Sequence, residues 1–516
     1  MQNAKKRKLK KKNSIHIDIG AQIKEDQAMM LDLLNILTYM SSIATSNVSR
    51  DKIFELAAQQ EGITAKSMKK IHLLANNYGY DYSHASKLAA DEAHHPDLKD
   101  FLTRLSNALG LGEEEEKFFR DETERMVEVY TNKYQSDVET LKKWTDGYAA
   151  LLVSVILVIA VVLISTMLFN MGDTVTTSII AGALFCFIAF FGVYVLYRSA
   201  PYELTAHSLE IKSKEQELAR KMSMILLPTT GITALILVVI GVEPWIIFLV
   251  VAALLAPVGV VGIMDEKKIE RRDYDISTFL KSLGSTAGTV GATLAVALEH
   301  LDKKSVASLE EPVGRLQRRL VNGINPKVCW RYFSGETGSE LINKYTNVFL
   351  DATDLGGNPT KIGEIVAHSS LGIAILRAKR KLVSTGFMNL VIPLHAAMAG
   401  ILMFIYRIMF SFNNSVAAMM EEKSAEVGGA GGSMPTGMGF FNIGGTTDLA
   451  FIANYVTVII LIITIANVFA TKFAVGGSNY TLCFYASILF FVSAIVLFTI
   501  PIMADSIFGI QMGAGG

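Results

Sequence analysis

Seven stretches of the chain are long and apolar enough to cross a bilayer, and no other property narrows its possible folds as far. A hydrocarbon core of ~30 Å requires about 20 mainly apolar residues in helical form. Residues 148–169, 175–197, 222–240, 244–264, 387–412, 449–471 and 481–503 meet or approach that length. Lipid offers no partner to a backbone N–H or C=O, so a span must satisfy these groups within itself, and a stretch of this length does so as a helix. Of the 516 residues 51% are hydrophobic and the mean hydropathy is +0.36, too apolar for an ordinary soluble chain. The expected fold class is all-α: a polytopic membrane protein with about seven transmembrane helices and two cytoplasmic helical-bundle domains. The N-terminus is basic, but no apolar region follows it before residue 148, so no cleavable signal is read.

Lys and Arg near span ends set orientation. An N-terminus held inside leaves all but Lys423 and Arg407 of the 48 basic residues on the cytoplasmic side or at its edge. The expected organisation follows. Residues 1–30 are a basic tail, 31–147 a first cytoplasmic helical domain, 148–197 the first two spans, 198–221 a cytoplasmic loop and 222–264 the next two spans. Residues 265–385 are a second cytoplasmic helical domain, 386–412 the fifth span, 413–447 an external Gly-rich loop, 448–503 the last two spans and 504–516 an external tail. Cys186, Cys329 and Cys483 fall in a span, a cytoplasmic domain and a span, which argues for reduced thiols rather than a disulfide framework.

Both cytoplasmic blocks space their apolar residues by three and four, as helices do. Gly284, Gly288 and Gly291, in a segment of this kind, are small enough for close helix packing. A weak repeat joins the blocks. DLLNILTYM begins at Asp32 and FLTRLSNALGLG at Phe101; DISTFLKSL begins at Asp275 and FLDATDLGGNP at Phe349, with Gly356 and Gly357 at the turn. In each case a charged helix and then a span follow, which favours duplication over coincidence.

The sequence lacks the constellations of known chemistry. A phosphate-cradling loop needs GxxxxGK[ST], and the nearest string, GGNPTK at 356–361, contains a proline that removes a donor and reads as a turn. DEAHHPD at 91–97 has no strand or phosphate loop to serve, and its adjacent His94 and His95 do not share a helix face; it reads as a helix end at Pro96. HExxH, GxSxG and CxxC do not occur. Catalytic, cofactor and metal residues are therefore expected to be none, and no nucleic-acid partner is expected. Within the spans His395, Asn454 and Asn467 are the notable polar groups, too few for a transport path. Pro393 and His395 read as a kink and a helix–helix hydrogen bond ahead of a proton relay, and Arg407 as a side chain that snorkels outward.

Charge is concentrated instead at Lys5–Lys12, at Lys267, Lys268, Arg271 and Arg272, at Arg315, Arg318 and Arg319, and at Arg377, Lys379, Arg380 and Lys381. Beside spans, such cations fit anionic lipid and positive-inside sorting. That explanation does not reach Arg315, Arg318 and Arg319, which are either a solvated helix face or a docking surface for something acidic.

RRLVNGINPKVCWRYFSGETGSELI (318–342), FLDATDLGGNPTKIGE (349–364) and LRAKRKLVSTGFMNLVIPLHAAMAGIL (376–402), with two helical domains each feeding a span, resemble the type II secretion F family in its two-repeat archaeal form, and within it the platforms of archaellum assembly. The resemblance runs from about residue 31 to the end and is strongest over 270–412. It implies that the two cytoplasmic domains are F-domain repeats and that the chain has no enzymatic activity. The partners it implies are a cytoplasmic hexameric secretion-type ATPase, pilin-like (archaellin) subunits, other archaellum or pilus base components, membrane lipid and a second copy in a homodimer. Arg315, Arg318, Arg319, Arg377, Lys379, Arg380 and Lys381 are then the expected ATPase-docking residues. A platform of an adhesive or Tad-like pilus or of a secretion system, and a transporter or scaffold unrelated to filaments, stay open as alternatives.

Overall fold

The computed structural model describes residues 18–168, 174–291, 293–426 and 446–513. The lysine-rich stretch Lys5–Lys12 and the centre of the Gly-rich loop lie outside them. Among the described residues the chain is helical, with a single isolated β-bridge between Ala206 and Ser339. It divides into two units: one of residues 1–139, 201–217 and 264–381, the other of 140–200, 218–263 and 382–516. The expected domain edges move accordingly. The bundle unit takes 201–217 out of the expected loop, and the long helices are shared between units instead of ending at a boundary.

The bundle unit follows one plan twice. In its first half α1 (Asp18–Ala44) leads through α2 (Arg50–Ala58), α3 (Ile63–Tyr78), α4 (Tyr82–Glu92) and α5 (Pro96–Leu111) to the long α6 (Glu115–Leu168). The second half has α9 (Pro244–Val290), α10 (Leu294–Glu299), α11 (Glu310–Val321), α12 (Pro326–Thr337), α13 (Glu340–Asp354) and the long α14 (Pro359–Glu426), with a 3-10 turn over Lys303–Leu309. One polar contact recurs with the plan. Asp32 on α1 accepts a hydrogen bond from the Thr64 N–H at 2.7 Å, and Asp275 on α9 accepts one from the Ser308 N–H at 2.9 Å. Each carboxylate satisfies an N–H at or just before the start of a later helix, where helices leave donors unpaired. Gly112 (φ +70°) and Gly356 (φ +83°) each stand three residues ahead of the long helix in the left-handed conformation glycine tolerates. Counted back from these glycines, Leu105 rather than Phe101 matches Phe349.

Side-chain caps define the short helices. Ser49, Asp81, Asn325 and Ser339 accept from the backbone N–H of Lys52, Ser83, Lys327 and Ile342. The two halves meet where α1 packs on α13 and α14: fully buried Tyr345 on α13 donates to Asn35 at 3.2 Å, and Thr38 donates to Ser369 on α14 at 3.0 Å.

The other unit holds the apolar parts of α6, α9 and α14 with α7 (Thr174–Ser199), α8 (Lys214–Ile240), α15 (Thr446–Val475) and α16 (Thr481–Gly513). All seven helices are long and apolar enough to cross a membrane. The chain is thus an all-α multi-pass membrane protein. Its packing uses small residues: a Cβ at Gly192 would lie 2.7 Å from the Tyr148 ring and one at Gly259 2.4 Å from Phe484 backbone. Buried Ile459, Ile460, Ile463, Ala466 and Ala470 place α15 centrally in this unit.

Candidate functional site

Positions 377, 380 and 381 lie three and four residues apart, so α14 presents them on one face while Lys379 points elsewhere. The Arg377 guanidinium sits 2.6 Å from an Asp273 oxygen and donates to the Leu204 carbonyl at 2.8 Å. Arg380 is 3% exposed, donates to the Pro201 carbonyl at 2.9 Å and lies 3.3 Å from Glu203. Lys381 pairs with Glu270, and Glu203 also accepts from Tyr134. Burial works against the Arg377 cation, but Asp273 and Glu203 outweigh it and raise its pKa above the ordinary value. A planar fork that binds a carboxylate and a carbonyl together suits this role.

These bonds fasten residues 201–217, as a strap, onto the second half of the bundle. The Glu340 N–H donates to the Thr205 carbonyl at 3.0 Å, and the His207 ring bonds the Gly335 carbonyl at 2.9 Å. Gln216 donates to the Gly338 carbonyl at 3.0 Å and buried Arg272 to the Thr337 carbonyl at 2.8 Å. The Gly335 and Thr337 carbonyls lie in the last turn of α12 and that of Gly338 just beyond it, where helix geometry leaves carbonyls short of intrahelical partners. Cations and N–H groups there also favour the helix dipole.

The seven expected docking cations therefore do not form one exposed surface. Arg377 and Arg380 are a correction to the docking expectation: they are turned inward to carboxylates and carbonyls and hold the strap. Lys381 is half-buried on Glu270, and Lys379 is exposed with no ion pair among the described residues. On α11, Arg315 and Arg319 converge on Glu336, at 2.6 Å for Arg315, and Arg319 also lies 4.9 Å from the centre of the Tyr332 ring. Burial pushes the Glu336 pKa up, yet the guanidinia of Arg319 and Arg315 overcome it and hold it below the ordinary carboxylate value. Arg318 is exposed, without an ion pair among the described residues.

The glycines divide too. A Cβ at Gly284 would stand 2.2 Å from the Pro359 carbonyl oxygen, and one at Gly288 2.3 Å from the Thr360 hydroxyl, so both permit α9 to approach α14. Gly291 is a second correction, since it has open space around it and a φ of +59°, and so ends α9 without packing on a neighbour. Gly356 makes the expected turn, and Gly357 is tight against Thr45 and Ala352. GGNPTK is a turn in which Asn358 caps α14. Pro96 opens α5 with His95 as its cap residue, and no group of three metal-ligating side chains occurs among the described residues.

Inside the span unit His395 is fully buried. Its Nδ1 lies 3.2 Å from the Asn467 amide and its Nε2 2.7 Å from Ser493, while Tyr148 donates to Asn467 at 3.1 Å. The residues thus join α6, α14, α15 and α16 as the helix–helix bond reading expects. Asn454 is exposed. Arg407 pairs with Asp505, so snorkelling is not its whole account. Sequence reasoning missed Glu203, His207, Glu270, Asp273 and Glu336. It also missed Lys472, whose ammonium caps the end of α15 through the carbonyls of Gly476, Gly477 and Ser478 at 2.6–3.0 Å. Carboxylates at one-turn spacing opposite cationic runs are the weak signal that Glu270 and Asp273 left.

The fold and site define a class: multi-pass membrane proteins with a duplicated helical bundle, tied internally by buried ion pairs. The relatives it resembles are archaeal flagellar proteins. Flagella accessory protein J of Methanocaldococcus jannaschii is 22% identical over 492 residues, 92% of this chain and 85% of that one. Flagella accessory protein J of Methanococcus voltae is 21% identical over 488 residues, 91% of this chain and 84% of that one. The resemblance to the archaellum branch read from the sequence is thus borne out along nearly the whole chain. No family model and no solved structure matches.

Proposed function

We propose that the chain is the integral membrane platform of an archaellum-type filament machine, coupling a cytoplasmic hexameric secretion-type ATPase to insertion of pilin-like subunits at the filament base. The observation that carries this reading is its similarity, over nine-tenths of its length, to two flagella accessory proteins J. In this reading the N-terminus and bundle unit are cytoplasmic, as the distribution of Lys and Arg favours. The sequence holds no phosphate-cradling loop of this kind, and in this reading the ATPase supplies the work. Base components, lipid and a second copy of the chain complete the assembly. Exposed Arg318 and Lys379 remain suited to docking, whereas Arg377 and Arg380 stiffen the bundle that transmits movement. Deleting the gene tests the role: filaments should vanish while processed subunits accumulate in the membrane, and complementation should restore them. Normal filaments in the deletion strain would contradict it.

A further inference from the structure

Among the described residues of the bundle unit, His207 is the one buried histidine, at 5% exposure. It sits in the middle of the strap, and both of its ring nitrogens are committed. Nε2 lies 2.9 Å from the Gly335 carbonyl oxygen, and Nδ1 lies 3.2 Å from the Leu209 backbone nitrogen. A carbonyl oxygen only accepts and a backbone N–H only donates. The ring must therefore carry its proton on Nε2 and keep a bare lone pair at Nδ1, which is the neutral imidazole in one tautomer. An imidazolium carries N–H at both positions. Protonation would set a new Nδ1–H against the Leu209 N–H, so the proton and the Leu209 bond compete for one lone pair.

The ring stands between the firmer fastenings of the strap. Arg377 and Arg380 hold the Leu204 and Pro201 carbonyls before it, and Ser213 donates to Asp265 at 2.8 Å after it. In between, the Glu340 N–H donates to the Thr205 carbonyl at 3.0 Å, Ala206 and Ser339 form the isolated bridge, and the His207 N–H reaches the Gly338 carbonyl at 3.4 Å. Gly335 lies so near the strap that a Cβ there would stand 2.7 Å from Ile211. On the elements around the ring, Glu203 pairs with Arg380, Asp273 with Arg377, Glu215 with Lys268, and Glu336 with Arg315 and Arg319. Arg272 holds the Thr337 carbonyl, and Glu340 accepts from Asn343 at 3.4 Å. Glu210 and Arg331 are exposed, and Lys212 is half-buried. None of these carboxylates pairs with the imidazole among the described residues.

We propose that His207 is a pH-sensitive latch: neutral, it fastens residues 205–211 to the end of α12, and protonated, it releases them. Release runs with acidification, because proton uptake removes the acceptor that Leu209 uses and supplies no bond in its place. Imidazoles ordinarily exchange their proton within about pH 5–8. Glu336, whose pKa is depressed, gives up its own pairs only at lower pH. Nothing in the latch depends on the platform reading.

Hydrogen exchange of the full-length chain in phosphatidylcholine nanodiscs tests it, at about pH 7.5 and about pH 5.5, with each rate divided by the intrinsic rate at that pH. In wild-type chain, protection of the amides at 205–211 and 335–340 should fall about fivefold or more at the lower pH, while that of α2–α5 changes by less than about twofold. His207→Gln sets an amide N–H near the place of Nε2 and has no proton to take up in this range. Its strap protection should stay within about twofold between the two conditions. Wild-type chain that keeps its strap protection on acidification, or His207→Gln chain that loses it as wild type does, would overturn the latch. Where His207→Gln fails to fold, His207→Asn makes the same comparison, since an Asn side-chain oxygen can accept from the N–H two residues on. Where neither variant folds, the unmodified chain decides. Loss confined to the strap and the facing end of α12 supports the latch, and equal loss across α2–α5 overturns it.

Discussion

Removing the Arg380 side chain leaves Glu203 facing a vacated, water-poor site, because the two are almost fully enclosed at 4% and 9% side-chain exposure. Breaking one partner of such a pair costs about 3–5 kcal/mol, more than the pair contributes over an apolar replacement. Arg380→Ala is therefore expected to lower bundle stability by that order in denaturant unfolding, while exposed Lys379→Ala changes it by no more than about 0.5 kcal/mol. Equal effects would contradict the inward assignment. A pH dependence follows at Glu336. Its folded pKa is depressed, so its contribution is present above the unfolded value of about 4.3 and is lost as pH falls through the folded one. The α11–α12 clamp should loosen on acidification below that range, and Glu336→Gln should flatten the profile read by proteolysis near 315–336. At this scale the sequence was half legible. The run from Arg377 to Lys381 announced a concentration of charge, and helical spacing alone could separate 377, 380 and 381 from 379. What it did not announce was the acids, because Glu203 and Asp273 meet the run only in three dimensions.

Helices carry this fold, and their crossings depend on a few missing side chains. Gly284→Ala puts a methyl group against the Pro359 carbonyl oxygen, a backbone atom that cannot swing aside. A cost of about 1–3 kcal/mol or more is expected. Gly291→Ala meets open space and pays only for its left-handed backbone, about 1–2 kcal/mol. Thermal unfolding of the pair, with helix content followed by circular dichroism, should rank Gly284→Ala as the more damaging. The reverse order would mean that α9 and α14 do not approach closely at Gly284. The spans, the helical periodicity and the turn at Gly356 were readable because each is a local pattern. Gly363 was not, although a Cβ there would lie 2.8 Å from the Leu280 carbonyl. The strap was equally hidden. Residues 201–213 have no periodicity, and they are held largely through backbone carbonyls, their own at Pro201, Leu204 and Thr205 and that of Gly335, which look alike in every sequence.

At the scale of the whole molecule, seven spans join a repeated bundle, the frame of the platform proposed above. Orientation is testable by chemical labelling, with Cys186, Cys329 and Cys483 first replaced. A cysteine at exposed Ala307 should react only from the cytoplasm and one at Gly429, outside the described residues, only from the exterior; labelling of both from one side would contradict the topology. The duplicated plan was legible as paired Asp32 and Asp275, since each begins an apolar pattern. In the proposed platform, energy enters through a partner. Its most direct test is ATP turnover by the cognate ATPase, the reconstituted chain, and the two together. The chain alone should hydrolyse nothing above background, and turnover by the ATPase should change with added chain until it saturates. Turnover that stays constant across saturating amounts of chain, or hydrolysis by the chain that survives removal of contaminating ATPases, would contradict the account.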